Sequence, residues 1–199
     1  MFPVDRWSLA ERYAASLADD GVVRGLIGPR EVPRLWDRHL LNCAVMADAL
    51  PSTPHTLADI GSGAGLPGIV LAICRPDVQV TLIEPLLRRV TYLEEIASEL
   101  GLDNVEVVRA RAEEVHGRRT FDVVTSRAVA ALGKLLGWSM PLVRRDGELI
   151  AMKGSRARDE VASSARALRR WTTERVRVEE LGGGVVDPPT TVVRVVRTK

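Results

Sequence analysis

The segment Ala58-Asp59-Ile60-Gly61-Ser62-Gly63-Ala64-Gly65-Leu66-Pro67-Gly68 constrains the fold of this chain more than any other. It lies between an apolar run at Leu57 and Ile60 and a second run from Ile69 to Ile73, so it reads as strand, glycine turn and helix. Gly61, Gly63 and Gly65 alternate along the turn. Glycine takes positive φ without strain and lets a backbone come close to a ligand. Pro67 suits the first helical turn, where no N–H is needed. The N–H groups of that helix start are open to an anion or a polar nucleotide edge. The turn is therefore read as the seat of a nucleotide-like cofactor. Val78 to Glu84 reads as the next strand, with Glu84 roughly 20 residues past Gly61, the separation that puts a carboxylate within reach of two ribose hydroxyls. A solvated strand-end acid or a helix cap is the plainer role for Glu84.

Bulk composition removes several classes. The chain has 199 residues, enough for one packed domain with an appendage. No stretch approaches the ~20 apolar residues of a membrane span. Met1 to Trp7 lacks the basic and apolar regions of a signal peptide, so a cytoplasmic location is expected. Cys43 and Cys74 have no metal-ligand spacing and read as small buried residues of a reduced protein, and no metal is expected. Only Lys134, Lys153 and Lys199 among the 28 basic residues are lysine. Arginine suits phosphate forks, and a pI near 8.8 permits nucleic-acid binding without requiring it.

The first 54 residues read as a helical extension. Trp7, Leu9, Ala10, Tyr13, Ala14 and Leu17 mark one helix face, ended by Asp19-Asp20-Gly21. Gly25 to Pro33 reads as a loop, and Leu35 to Leu50 as a second helix. Pro51-Ser52-Thr53-Pro54-His55 links to residues 55–199, where strands and helices alternate. Further strands are expected at Val105–Val108, Phe121–Thr125 and Gly147–Lys153. Helices are expected at Leu87–Leu100, Ala128–Val143 and Arg156–Trp171. Arg175–Leu181 and Thr191–Arg197 then follow with no helix between them, so they should pair antiparallel. The whole is an α/β chain with a mostly parallel seven-stranded sheet closed by a hairpin. It resembles the Rossmann-like class I methyltransferase fold, in which S-adenosylmethionine lies over the carboxyl ends of the strands. A dehydrogenase would need a second half or a substrate domain, for which there is no room.

The end of the fourth strand, Thr125-Ser126-Arg127-Ala128, lacks the Asn/Asp-Pro-Pro-aromatic motif of exocyclic-amine methyltransferases, and no Pro-Cys pair offers a nucleophile. Asp187-Pro188-Pro189 lies in the terminal hairpin and reads as a rigid turn. An acceptor that needs little activation fits, such as guanine N7, which carries a lone pair and no proton. Orientation then supplies the rate, without a general base. Arg127 and Lys153 are the candidate catalytic cations, orienting guanine or phosphate, although either residue could be only a salt-bridge partner or a solvated strand end. Glu113 follows the third strand, where adenine contacts often lie, or it is a helix-start acid. His39 reads as a satisfied core histidine; His55 and His116 sit in loops. Arg166, Arg169 and Arg170 form a basic patch or a solvated helix face.

Four segments go beyond fold class: Arg38-His39-Leu40-Leu41-Asn42, Asp59 through Ile69, Ser126-Arg127-Ala128 and Met152-Lys153-Gly154. Through them nearly the whole chain resembles the ribosomal RNA small-subunit methyltransferase G family, also called glucose-inhibited division protein B. The resemblance implies a bacterial cytoplasmic enzyme that transfers a methyl group from S-adenosylmethionine to N7 of guanine-527 in 16S rRNA, and an effect on streptomycin susceptibility. By motif it implies cofactor contacts at Gly61, Leu66, Ala112, Glu113 and Arg127. Asp59, Gly63, Gly65 and Glu84 join them from the turn and ribose arguments. The partner is 16S rRNA or the small ribosomal subunit, and a monomer is expected. A Trp-Asn…Asn-Leu-Thr segment found in many members is replaced here by Gly25 to Trp36, so RNA contacts assigned to it do not carry over. A class I methyltransferase with a small-molecule or protein acceptor, and a non-catalytic S-adenosylmethionine-binding regulatory module, are the alternatives.

Overall fold

Apolar residues alternate sides along each central strand, and this alternation builds a sheet covered on both faces. Leu57, Val80, Leu82, Val123 and Ile150 pack on one side, and Ala58, Ile83, Val124, Leu149 and Ala151 on the other. The computed structural model describes residues 1–53, 55–174 and 176–199. Its strands are β1 (Thr56–Ile60), β2 (Gln79–Ile83), β3 (Val105–Val108), β4 (Phe121–Arg127), β5 (Val143–Lys153), β6 (Arg177–Leu181) and β7 (Thr190–Val196). They lie in the order β3-β2-β1-β4-β5-β7-β6. Pairing is parallel from β3 through β5, and β7 runs antiparallel to both β5 and β6. The expected parallel sheet with a terminal hairpin is thus present, with β7 inserted between β5 and β6. The chain reverses direction across the sheet between β1 and β4, where a crevice opens at the carboxyl ends of the strands.

The helices are α1 (Trp7–Ala18), α2 (Asp20–Val23), α3 (Leu41–Ala44), α4 (Gly68–Cys74), α5 (Leu87–Leu100), α6 (Ala112–Val115), α7 (Leu132–Ser139), α8 (Ala157–Ser163) and α9 (Ala165–Leu168). Ala10, Tyr13 and Leu17 of α1 share a core with α4 and α5, so the N-terminal helices cover the same sheet face as those two. Helix α5 ends as expected at Gly101, which is left-handed with φ 64.

Several boundaries differ from the sequence expectation. The run after α1 does not stop at Asp19-Asp20-Gly21; α2 continues it. Residues 25–33 are not all loop, because Pro29–Arg34 forms a 3₁₀ turn. The second helix begins as a π turn over Leu35–Leu40, passes through α3 and ends as a 3₁₀ turn over Val45–Ala49. The Asn42 amide steadies this change of winding by donating to the Asp37 and Arg38 carbonyls at 3.1 and 2.9 Å. The expected helix Ala128–Val143 is confined to α7 and a 3₁₀ turn at Met140–Leu142. Val143 instead opens β5 by pairing with Phe121. The polar Arg144-Arg145-Asp146 run forms a register shift inside that strand, with Asp146 at φ 62. The helix expected over Arg156–Trp171 breaks at Ser164, which is buried against Gly133. Pro54 of the linker and Arg175 of the expected sixth strand lie outside the described residues.

Candidate active site

A cavity of about 950 Å³ opens over the carboxyl ends of β1, β2 and β4, within the size of small-molecule sites. Gly61, Gly63 and Gly65 all adopt positive φ, at 66, 60 and 96. At Gly65 a Cβ would also stand 2.5 Å from Ile69 Cγ1 and 2.9 Å from the Tyr13 hydroxyl. That hydroxyl donates to the Ala64 carbonyl at 2.7 Å, so α1 braces the glycine turn from outside.

Pro67 stands just before α4 rather than within its first turn. The first N–H groups of α4 are not open to a ligand. Gly68 N–H donates to Asp59 Oδ2 at 3.0 Å and Ile69 N–H to the Gly65 carbonyl at 2.8 Å. Asp59 is fully buried behind the turn, and burial pushes its carboxyl up to about 7 against the hydrogen bond from Gly68. Neither Asp59 nor Gly65 lines the cavity; both shape the turn that does.

Gly61, Gly63, Leu66, Glu84, Ala112, Glu113 and Arg127 do line it. Glu84 is almost completely buried. Its Oε2 accepts from Gly63 N–H at 3.0 Å and its Oε1 from Leu86 N–H at 3.1 Å. The carboxylate is thereby locked beside the turn, with lone pairs left over for donors from a ligand. Glu113 is exposed at the cavity edge, and Glu114, not Glu113, accepts the Arg111 N–H at 2.6 Å. The helix-start role therefore falls to Glu114. Lys153 is not at the cavity. Its side chain is 8% exposed, and its ammonium donates to the Ala130 carbonyl at 2.7 Å and to Glu160 at 2.8 Å. Glu160 also accepts Leu132 N–H at 2.7 Å, so these groups tie the end of β5 to the loop and helix that follow β4.

Arg127 enters from the end of β4 and donates to His39 Nδ1 and, at 3.4 Å, to Cys43 Sγ. His39 is satisfied, as expected of a core histidine, and it also lines the cavity. Its Nε2 pairs with Glu31 Oε2 at 2.8 Å. Leu26, Ile27, Gly28 and Glu31 line the cavity too, although no sequence pattern in that segment points to a site. Arg89 was missed too; it stands 3.6 Å from Glu84. Only its place in the first turn after the Glu84 strand could have signalled it. His55 and His116 bond the Thr53 and Trp138 carbonyls.

Comparison with known proteins agrees with this geometry. The family model for rRNA small subunit methyltransferase G matches residues 6–186. The ribosomal RNA small subunit methyltransferase G of Nocardioides sp. (strain ATCC BAA-499 / JS614) is 62% identical over 196 residues, 98% of this chain and 78% of that one. The protein of the same name from Thermobifida fusca (strain YX) is 57% identical over 190 residues, 96% of this chain and 80% of its own. A solved Methanococcus maripaludis structure, described as a putative S-adenosyl-L-methionine-dependent methyltransferase, superposes with a TM-score of 0.65 at 11% identity over 85% of this chain and 92% of that one. That likeness shows the class I methyltransferase fold. The chain belongs to the ribosomal RNA small subunit methyltransferase G family.

Proposed function

We propose that this methyltransferase transfers a methyl group from S-adenosylmethionine to N7 of guanine-527 in 16S rRNA, acting as a cytoplasmic monomer on the small ribosomal subunit. The observation that carries the reading is one cavity over the strand ends, lined both by the locked Glu84 carboxylate after β2 and by Arg127 at the end of β4. The residues fit the cofactor. Glu84 has acceptor capacity for ribose hydroxyls, Gly61 and Gly63 leave room for close backbone approach, and Ala112 and Glu113 offer a wall beyond β3. S-adenosylmethionine, when bound, supplies a methyl carbon on a positively charged sulfur. Guanine N7 already has its lone pair, so the protein need not remove a proton before attack. Its residues have to align the acceptor and exclude water, and orientation of that kind accounts for most of such a rate. Arg127 can hold the guanine O6 or a flanking phosphate.

Arg166 and Arg170, exposed beside Ser163 and Ser164 in a second hollow, are candidate phosphate contacts. The experiment is transfer of label from S-adenosylmethionine to small subunits that lack the modification, with the product base mapped. Label on a single N7-methylguanine at position 527 supports the reading. Label on another base, or none despite cofactor binding, sinks the acceptor assignment. Transfer to free small molecules or proteins instead of rRNA would favour another acceptor class.

A further inference from the structure

Arg127 is carried by β4, but its guanidinium is aimed from the N-terminal segment. A guanidinium has five N–H donors and no lone pair, so in the Arg127–His39 pair the imidazole Nδ1 has to accept. The ring proton is then on Nε2, which donates to Glu31 Oε2 at 2.8 Å. Arg127 thus gives to His39, and His39 gives to Glu31. Cys43, one helical turn after His39, takes a second guanidinium N–H through its sulfur.

We infer that His39 is a positioning residue for methyl transfer: as a neutral imidazole with its proton on Nε2, held by Glu31, it aims Arg127 into the cavity. The role in transfer rests on the function proposed above. A doubly protonated His39 has no lone pair and would set one cation against another, so the arrangement exists only while His39 is neutral. The groups facing it are Arg127 from β4, Glu31 from the preceding 3₁₀ turn and Arg38 beside it; Arg34 acts on Glu31, and Cys43 of α3 on Arg127. Tyr13 and Asp59 lie beyond Arg127 and Cys43. Burial and then Arg127 hold the His39 pKa below its ordinary 6.5, against the pull of Glu31.

The test has two arms. In the first, imidazole nitrogen shifts are followed by NMR, which is tractable because the chain has 3 histidines. His39 should be the neutral Nε2–H form at pH 7. Arg127→Ala should raise its pKa and Glu31→Gln should lower it further. A neutral Nδ1–H form, or a His39 indifferent to Arg127→Ala, overturns the inference. In the second arm, kcat/KM for small subunits is followed against pH. Wild type should lose about tenfold per pH unit below the NMR pKa, as one essential deprotonated group requires. His39→Ala should lower kcat/KM about tenfold or more at pH 7, with folding checked by Tm. His39→Gln has an amide oxygen that can take the Arg127 N–H, so it should recover most of the rate and lose the acid limb. Wild-type turnover in His39→Ala, or an acid limb surviving in His39→Gln, overturns the inference. A wild type that transfers no methyl overturns the proposed function and the role of His39 together. An active enzyme without the NMR signature overturns the role of His39 alone.

Discussion

At Gly68 the φ is ordinary, and space is what demands glycine: a Cβ there would stand 2.2 Å from Leu82 Cδ2 and 2.7 Å from Asp59 Oδ2. Both neighbours belong to the buried floor of the glycine turn. Gly68→Ala is expected to destabilise by about 3 kcal/mol, the upper range for overpacking, and to lower Tm by ~6–12 °C in a chain of this size. An unchanged Tm would mean that β2 and α4 separate easily. Glu84 is different in kind. Its two oxygens hold Gly63 and Leu86 N–H groups, so its removal loosens the turn as well as deleting an acceptor for ribose. Glu84→Ala is expected to weaken S-adenosylmethionine binding about tenfold or more, some 1.4 kcal/mol, measured by calorimetry. An unchanged dissociation constant would remove Glu84 from the ribose end of the cavity.

The ends of the elements decide what reaches the cavity. Lys153 was expected to act on substrate because it closes a strand next to the one that carries Arg127. It lies on β5 and spans to Ala130 and Glu160, joining the loop before α7 to α8. Glu160 accordingly has a lowered pKa, with burial opposed and outweighed by Lys153 and the Leu132 N–H. Lys153→Met should therefore lower Tm modestly, at a cost of about 1–2 kcal/mol, because Glu160 is 27% exposed and keeps the Leu132 N–H when the ion pair is lost. Lost transfer with an unchanged Tm would instead point to a direct role on substrate. The succession of strands and helices, the glycine turn, and the places of Glu84 and Arg127 at strand ends were legible in the sequence because each rests on periodicity or on a fixed offset within a β-α-β unit. The contribution of Glu31 was not. It arises where a 3₁₀ turn and a π turn meet, and neither has a hydrophobic period of its own. His39 was legible as a buried residue on the face of Cys43, but its partner lies 88 positions away in sequence. The inward orientation of Asp59 and the bracing by Tyr13 are likewise products of packing between α1, β1 and α4.

Across the whole molecule, buried and paired ionisable groups pull stability in opposite directions with pH. At Asp122, burial raises the carboxyl pKa, but the Thr56 N–H and hydroxyl and then Arg144 outweigh it and hold the value at about 2. Asp122 thus contributes stability that is present above 3.8 and lost as pH falls through about 2. His39, also lowered, contributes above 6.5 and loses its contribution as pH falls below that value. Asp59 runs the other way. Folded Asp59 keeps its proton up to about 7, whereas unfolded Asp59 loses it near 3.8, so its contribution is full below 3.8 and is lost as pH rises through about 7. Its Oδ1 is buried without a hydrogen-bond partner among the described residues, so ionisation leaves an uncompensated oxygen in the core. Asp59→Asn separates this effect from the others. The amide oxygen can still accept Gly68 N–H, and the amide nitrogen stands where the protonated carboxyl carries its own unpartnered O–H, so below pH 4 the two neutral side chains place similar demands on the core. The variant should therefore lie close to wild type in stability near pH 4. Between pH 4 and 7 the difference should move in its favour by about 2–4 kcal/mol, because the unfolded wild type releases a proton that the folded wild type retains, and it should level off above pH 7. Tm measured for both proteins from pH 4 to 8 reads this directly. A constant gap would mean that Asp59 ionises at its ordinary value and that the glycine turn rests on a charged carboxylate.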